Sequence, residues 1–443
     1  MYITSVKIEN IRSVADFRMD FKSPAGWHVL IGDNGSGKST IVRSIAAVLI
    51  GPEQIHSIFP VWKEWLNYKS EKGSISLEIK YDKDIDRTSQ TRPPKRPIKN
   101  EFIFMRKGVK IEFSSNAADR SMKPTNYNWS SNKGWFSVAY GPFRRFTGGD
   151  NKWNKIFYSS PKAGSHLSVF GEDIALAESI DWLKELDRKR LKEKENSSFE
   201  GISESEVTYD NNESEKIFKY IKEFINNSGL LPHDAKFEKV DVDGDIVFLD
   251  GYGNPTKVIQ MSDGYRSILS MTFELIRQMV LTYGIDDVFR NIKQNKMKID
   301  LPGVVLIDEI DAHLHPTWQT RIGQWFTKYF SKIQFIVTTH SPLVCRACEK
   351  GSIWRLAAPG SEFKSGEVKG IEKNRLVFGN VLDAYGTEIF GANVSISENS
   401  NEKLDRLAKL NIKSLKGGIS KKENTERNGL ISIFSTGNKK KND

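Results

Sequence analysis

A glycine-rich loop constrains the fold of this chain more than any other stretch. Residues 28–31 are an apolar run, the loop that follows reads GDNGSGKS, and apolar side chains then recur at helical spacing to residue 49. A strand, a loop and a helix in this order are the context of a phosphate-binding loop. We therefore predict a triphosphate site made by consecutive residues of the loop and the first helical turn: Gly32, Asp33, Asn34, Gly35, Ser36, Gly37, Lys38, Ser39 and Thr40.

The chemistry of phosphate binding explains the composition of this loop. Glycine lets consecutive backbone N–H groups turn toward a phosphate, where a Cβ atom would collide. The following helix adds unpaired N–H donors and the positive end of its dipole. Lys38 can reach the β- and γ-phosphates as a point charge, and the Ser39 hydroxyl can ligate Mg²⁺.

Two later apolar runs end in polar side chains suited to catalysis. Asp308 and Glu309 follow residues 304–307, and His340 follows residues 335–337 after two threonines. A helical pattern with an aromatic face separates the two runs, and strand, helix and strand in succession are typical of a parallel α/β sheet. We therefore expect these side chains to lie along the sheet edge that carries the phosphate loop.

The three side chains have different expected tasks at that edge. Asp308 is expected to hold the Mg²⁺ shell, and Glu309 to orient and deprotonate the water that attacks the γ-phosphate. His340 could hydrogen-bond the γ-phosphate and sense its loss, and the alternative is a structural histidine.

The chain is predicted to contain four segments. Residues 1–165 would form an N-terminal lobe with the phosphate loop, and residues 231–395 a C-terminal lobe with the two polar strand ends. Residues 166–230 between them predict a helical insertion with an acidic, mobile connector. Residues 396–443 predict a C-terminal helix and a basic tail, which we expect to be weakly folded or bound to a partner.

Three shorter motifs leave alternatives open. Residues 135–145 read WFSVAYGPFRR, a strand that runs into two arginines suited either to clamping a phosphate or carboxylate or to a surface turn. Residues 241–245 have the composition of a metal cluster, although a tight hairpin turn fits their apolar flanks better. Ser262 is a natural N-cap for the helix predicted to follow it.

The charge and the cysteine content indicate which class of partner and which cellular compartment to expect. The chain has 66 basic and 56 acidic side chains and a net charge of +10, which favours a polyanionic partner such as nucleic acid. Cys345 and Cys348 are too few for a closed zinc site, so we expect both to be small buried residues, and the lack of a disulfide framework fits a reducing cytosol. No apolar run reaches 18 residues and the N-terminus has a strand pattern, so we expect a cytoplasmic protein without a membrane segment.

Four motifs together resemble those of ABC-type ATPases. Residues 32–39 resemble Walker A, residues 262–264 the start of the signature, residues 308–316 Walker B with the D-loop, and His340 the H-loop. Their order and the opening KIENIRS are similar to the SMC/RecF branch. The stretches MSDGYRS, YGPFRR and DEIDAHLHP are similar to ATPase subunits of bacterial antiphage systems, such as PtuA of Septu and retron systems, with AriA of PARIS as a neighbour.

This resemblance implies a fold and a shared site. The fold would be an α/β P-loop NTPase, an ABC-type ATPase head with antiparallel N-terminal strands, a parallel core and a short helical insertion. Two heads would sandwich two ATP molecules with Mg²⁺. Ser262 and Gly264 of one subunit would contact the γ-phosphate held by the other, and Arg12 in the opening motif would contact the nucleotide. The residues implied in catalysis and metal binding are Lys38, Glu309, His340, Ser39 and Asp308.

The resemblance also implies a function. The chain would be the ATP-hydrolysing subunit of an antiphage defence complex that dimerises on ATP, or forms a higher oligomer, and controls a partner nuclease of HNH or TOPRIM type. The chain itself is not expected to be a nuclease, because no DxD pair follows His340 and the histidines at positions 28, 56, 166 and 233 are scattered. Slow turnover is expected, since Asp263 and Tyr265 replace the glycine and glutamine of the transporter signature.

Two other ATPase classes compete with this interpretation. A RecF-like DNA repair ATPase that binds DNA is the alternative. A transporter ATPase fits less well, because no Q-loop glutamine follows the strand predicted at residues 135–140.

Overall fold

The structure is a computed structural model of the chain. It describes residues 1–58, 62–88, 93–115, 123–129, 134–144, 160–171, 177–199, 213–241, 243–358, 360, 363–380 and 398–434. Arg145, most of the predicted acidic connector and a helical pattern at residues 381–390 lie outside these residues. The chain divides into two compact units, Met1–Gly379 and Asn380–Asp443.

The described part of the first unit contains three β-sheets. Their strands, in chain order, are β1 (Tyr2–Ile11), β2 (Val14–Asp20), β3 (Gly26–Ile31), β4 (Lys72–Lys80), β5 (Ile98–Lys107), β6 (Lys110–Ser115), β7 (Ser137–Tyr140), β8 (Lys236–Val240), β9 (Ile246–Leu249), β10 (Pro255–Lys257), β11 (Gly303–Ile307), β12 (Ile333–Thr338), β13 (Ser352–Arg355) and β14 (Gly366–Val368).

A six-stranded sheet of order β14-β13-β3-β12-β11-β7 carries the candidate site. The strands from β13 to β7 are parallel, and β14 pairs antiparallel with β13. Strands β11 and β12 are buried along their whole length, as expected for a parallel sheet covered on both faces. Because parallel strands end at one edge, the residues that follow β3, β7, β11 and β12 meet there. The predicted α/β class with a parallel core is confirmed.

An antiparallel sheet of order β2-β1-β4-β5-β6 forms a separate layer. Helix α1 (Lys38–Ile50) shares one apolar core with residues of both sheets, among them Ile8 and Ile336. A buried amide joins the sheets directly: Ile3 N donates to Gln334 Oε1 over 2.8 Å, and Gln334 Nε2 donates to Ile3 O over 2.9 Å. The phosphate loop is therefore held between two packed sheets.

The other helices of the first unit surround these sheets. They are α2 (Pro52–Ile55), α3 (Pro161–Gly164), α4 (Ala177–Phe199), α5 (Glu213–Asn227), α6 (Asp263–Tyr283), α7 (Ile285–Val288), α8 (Pro316–Tyr329) and α9 (Gly370–Phe378). Short 3₁₀ helices cover Pro124–Asn126, Leu167–Val169, Val258–Gln260, Ile292–Gln294 and Pro342–Ala347.

Helices α4 and α5 fall in the segment predicted as a helical insertion. Helix α5 buries an apolar face that includes Phe224, whose ring centroid lies 6.0 Å from that of Trp325 on α8. The aromatic face of α8 is buried, as its spacing predicts.

The acidic stretch at residues 241–245 is a hairpin turn between β8 and β9. The Asp241 carboxylate accepts hydrogen bonds from the backbone N–H groups of Asp243 (3.0 Å) and Asp245 (2.8 Å), and Lys257 Nζ lies 2.8 Å from the Asp245 carboxylate. The carboxylates are thus occupied by the turn itself and by one lysine. The prediction of a tight hairpin turn is confirmed.

The second unit contains a helical hairpin, α10 (Glu398–Leu415) and α11 (Lys421–Phe434). Ion pairs join the two helices, Arg406 to Glu426 at 2.8 Å and Lys413 to Glu423 at 2.5 Å. Of the two expectations for the tail, weak folding is wrong as far as residue 434, and binding to a partner stays a prediction. Cross-helix charge pairs stabilise this segment, and its low apolar content does not reveal them.

Two exclusions apply to the described residues. None of their helices is long and apolar enough to cross a membrane. Cys345 and Cys348 are buried free thiols whose pKa is raised by burial, and no group of three or more His, Cys, Asp and Glu side chains could hold a metal ion. The prediction that both cysteines are small buried residues is confirmed.

Candidate nucleotide-binding and hydrolysis site

The phosphate loop joins β3 to α1 at the carboxyl edge of the parallel sheet. Gly35 and Gly37 have φ values of 79° and 95°, in the left-handed region that favours glycine. A Cβ atom on Gly37 would lie 2.7 Å from Val14 Cγ2, so the close approach of β2 also requires glycine. Helix α1 begins without a side-chain cap, which leaves its first N–H groups available to an anion.

Lys38 is buried at the start of α1. Its Nζ donates to the carbonyl oxygens of Gly32 (2.7 Å) and Asp33 (3.0 Å), so the ammonium is held against the loop. Burial lowers the pKa of Lys38, and the carboxylates of Glu309 and Asp308 act in the opposite direction. These two carboxylates, 270 positions later in the chain, therefore share the electrostatic environment of the loop lysine.

Asp308 and Glu309 follow β11 directly. Thr338 at the end of β12 connects them: its Oγ1 donates to Asp308 Oδ1 (2.6 Å) and accepts from Glu309 N (2.7 Å). The second oxygen, Asp308 Oδ2, is buried and has no hydrogen-bond partner among the described residues. A buried carboxylate oxygen without a partner is costly, so this atom is suited to a cation or its water shell. Thr338 has no assigned role in the sequence interpretation.

Glu309 adopts an unusual backbone conformation. Its φ of 49° lies in the left-handed region, where a non-glycine residue costs on the order of 1–3 kcal/mol and persists only if its surroundings enforce it. Its backbone N–H bonds Thr338, and its backbone carbonyl accepts from Arg144 Nη2 (3.0 Å). Its half-buried carboxylate makes no hydrogen bond or ion pair among the described residues, so it is available to a water molecule.

His340 lies at the same edge and is exposed. Its backbone N–H approaches the Asp311 carboxylate at 3.3 Å, which fixes the main chain and leaves the imidazole outside this contact. The edge thus brings together four residues singled out from the sequence: Lys38, Asp308, Glu309 and His340.

Ser262 occupies the N-cap position of α6, as predicted, but its side chain makes no capping hydrogen bond. The residue is exposed, and its hydroxyl is available to a ligand. Asp263 in the first turn instead pairs with Arg266.

Gly264 packs closely against the loop that follows Walker B. A Cβ atom at this position would lie 2.8 Å from the carbonyl oxygen of His313. Tyr265 continues the contact, because Trp318 Nε1 on α8 donates to its hydroxyl over 3.2 Å. The signature-like helix start and the D-loop-like segment therefore form one packed unit within a single chain.

The arginine of YGPFRR that the structure describes, Arg144, is neither a phosphate clamp nor part of a surface turn. It is buried, and its described partners are four backbone carbonyl oxygens and the Ser267 hydroxyl. Burial lowers its pKa to about 10, so it stays charged at neutral pH. For Arg144 neither sequence alternative applies, because its acceptors lie more than 120 positions away or on the main chain, where no sequence pattern marks them.

Arg12 lies beside the phosphate loop rather than within it. Its neighbours Ser13 and Val14 are the residues that a Cβ atom on Gly37 would strike. Its guanidinium stacks 5.2 Å from the Trp65 ring centroid, and burial lowers its pKa. The expected nucleotide contact stays a prediction.

A protein-family model matches most of the chain. A family described as "AAA domain, putative AbiEii toxin, Type IV TA system" matches residues 28–346. The matched segment contains the phosphate loop, Asp308, Glu309 and His340.

Two curated proteins and one solved structure illustrate the similarity. The Septu protein PtuA of Bacillus mycoides (strain KBAB4) is 24% identical over 360 residues, which cover 80% of this chain and 40% of that protein. The retron Vc95 probable ATPase of Vibrio cholerae serotype O1 biovar El Tor is 25% identical over 361 residues, 71% of this chain and 66% of that protein. The Smc head domain of Pyrococcus furiosus bound to the C-terminal domain of ScpA is 17% identical, with a TM-score of 0.46, over 83% of this chain and 96% of that chain.

The chain spans less than two thirds of the length of either curated relative. These findings confirm the predicted resemblance to ATPases of Septu and retron systems.

Proposed function

The chain belongs to the AAA domain family that it matches over residues 28–346, and from this we propose that it is an ATP-hydrolysing subunit of an antiphage defence complex. The observation that carries the proposal is the convergence of Lys38, Asp308, Glu309 and His340 at one edge of a parallel sheet. These residue types at one edge suit phosphoryl transfer to water.

Each residue has a proposed role in hydrolysis. The loop N–H groups and Lys38 bind the phosphates, and the Glu309 carboxylate orients the attacking water and accepts its proton. His340 contacts the γ-phosphate from the neighbouring strand end. Arg12 contacts the nucleotide beside the loop.

The residues present fit a divalent cation. Asp308 Oδ2 is a buried oxygen without a partner, and Ser39 supplies a half-buried hydroxyl at the first turn of α1. Oxygen ligands of this kind suit Mg²⁺, which would neutralise charge on the phosphates when bound. Asp308 and Ser39 are the residues that would hold it.

We propose that two copies complete each site. The exposed Ser262 hydroxyl and the backbone at Gly264 would face the γ-phosphate held by the other copy. In this arrangement residues 1–165 and 231–395 form the two lobes of one head, residues 166–230 are an insertion, and residues 396–443 dock a partner nuclease of HNH or TOPRIM type. The partner is part of this proposal, because the chain spans less than two thirds of the length of either relative.

The first experiment measures Mg²⁺-dependent ATP binding and phosphate release by the purified chain, alone and with the products of its neighbouring genes. The Lys38→Ala variant should lose both ATP binding and phosphate release, since the loop then has no lysine to contact the phosphates. Binding of ATP by Lys38→Ala as tight as that of the parent would contradict the proposed site.

A second prediction concerns nucleic acid. If the net charge of +10 reflects contacts with a phosphate backbone, the affinity for duplex DNA should fall with salt. The slope of log affinity against log salt should be about −0.9 per phosphate neutralised. A titration of the parent against a duplex fragment at several salt concentrations measures it. A flat response, or no binding at low salt, would remove nucleic acid from the proposed partners.

A further inference from the structure

Arg144 uses its whole hydrogen-bonding capacity inside the protein. Nε donates to Ser267 Oγ (3.0 Å), Nη1 donates to the carbonyl oxygens of Gly141 (2.8 Å) and Asp308 (2.9 Å), and Nη2 to those of Glu309 (3.0 Å) and Ile310 (3.4 Å). A guanidinium has five N–H donors, and here each one has an acceptor. All five acceptors are neutral, so these bonds hold neighbouring segments in position and do not form an ion pair.

Four of these five acceptors belong to two functional elements. Three are the consecutive carbonyl oxygens that directly follow β11, in the segment that presents the Asp308 and Glu309 carboxylates. The fourth is the hydroxyl of Ser267, on the second turn of α6, whose N-cap is Ser262. Arg144 is thus a direct, buried link between the Glu309 main chain and the helix that carries Ser262.

The link acts on a residue that needs support. Glu309 has a positive φ, and its peptide groups are fixed from two sides, by Thr338 and by Arg144. A strained residue of this kind moves when either contact changes. Any displacement of Glu309 is transmitted to Arg144, and through Ser267 to the start of α6.

From this geometry we propose that Arg144 is a positioning residue, which couples the γ-phosphate end of the site to the orientation of α6 and hence to the presentation of Ser262. This inference rests on the proposed ATPase function. Through Arg144, the orientation of α6 would depend, within one subunit, on whether the γ-phosphate is present.

Ser267→Ala tests the coupling with little disturbance of the site. It removes one hydroxyl from α6 and leaves the other four acceptors of Arg144 in place. Ser270→Ala is the matched control, because Ser270 is a buried serine on the same helix whose hydroxyl donates to the Ser267 carbonyl oxygen (3.0 Å).

The measurement is hydrogen exchange of the α6 amides with the non-hydrolysable analogue AMP-PNP and, separately, with ADP. In the parent and in Ser270→Ala, exchange at residues 265–270 should differ between the two nucleotides. In Ser267→Ala this difference should shrink at least about tenfold, the size implied by one lost bond to a charged group. AMP-PNP should still bind, because the hydrogen bonds of Ser267 are made with Arg144 and Ser270 and not with the phosphate loop.

Arg144→Lys provides a second measurement, since lysine keeps the charge but cannot form a planar fork of five donors. Its kcat should fall while its KM for ATP changes little. A Ser267→Ala variant whose α6 responds to AMP-PNP as the parent does would overturn the coupling and leave the ATPase proposal standing. A parent that binds neither nucleotide would overturn both.

Discussion

Glu309→Gln should bind ATP as the parent does and hydrolyse it about 10²-fold more slowly, or slower still, within the range for loss of a positioned base. The substitution is nearly isosteric. The contacts that hold Glu309 are made by its backbone, to Thr338 and from Arg144, so they survive the change. The change removes the basicity of the carboxylate and its negative charge. Phosphate release under saturating ATP measures the rate, and a fluorescent nucleotide measures binding.

The matched control is Glu349→Gln, an exposed glutamate of the same unit outside the candidate site. It should hydrolyse ATP at the parental rate. If Glu309→Gln also does so, Glu309 is not the base. A loss of nucleotide binding in Glu309→Gln would instead show that the carboxylate is needed to bind ATP.

Mixing Lys38→Ala with Ser262→Arg should restore activity that neither variant has alone. Lys38→Ala breaks the phosphate loop and leaves Ser262 intact, whereas Ser262→Arg places a bulky cation at an exposed position and leaves the loop intact. In a two-fold dimer of either variant, each shared site contains one broken half. In the heterodimer, one site is intact and the other is doubly broken.

The size of the recovery is fixed by counting. With equal mixing, half the dimers are heterodimers and half of their sites are intact, so independent sites give about a quarter of the parental rate. Coupled sites give less, and nucleotide-dependent dimerisation of the mixture should be followed in parallel. A mixture that recovers neither hydrolysis nor dimerisation would show that Ser262 acts within its own subunit.

Elements could be predicted from the sequence where the whole pattern lies within the element and the residues beside it. The order of apolar run, glycine loop and helix identifies β3 and α1, and the two apolar runs before Asp308 and His340 identify β11 and β12. Strand β5 lacks such a pattern, because the stretch that leads into it, residues 91–99, is rich in proline and basic residues and has the composition of an exposed loop. Its pairing with β4 across eight residue positions supplies the missing information.

The site shows the same division between local and distant causes. The residue types of Lys38, Asp308 and Glu309 and their places at strand ends are local, so sequence reasoning found them. The role of Thr338 depends on two atoms 29 and 30 positions away. The acceptors of Arg144 at residues 308–310 lie at least 164 positions from it. Neither role has a sequence pattern, because main-chain oxygens are the same in every residue.

The two sheets also differ in when they can form during synthesis. The antiparallel sheet uses only residues 2–115, so its contacts are complete once the first quarter of the chain has left the ribosome. The parallel sheet must wait for β11 and β12, since β3 pairs with β12 rather than with any strand near it in sequence. At roughly 5–20 residues per second, the 270 positions from Lys38 to Asp308 take on the order of 10–60 s to translate. Until then the nascent chain has a phosphate loop without its carboxylates, and a product released early cannot turn over ATP.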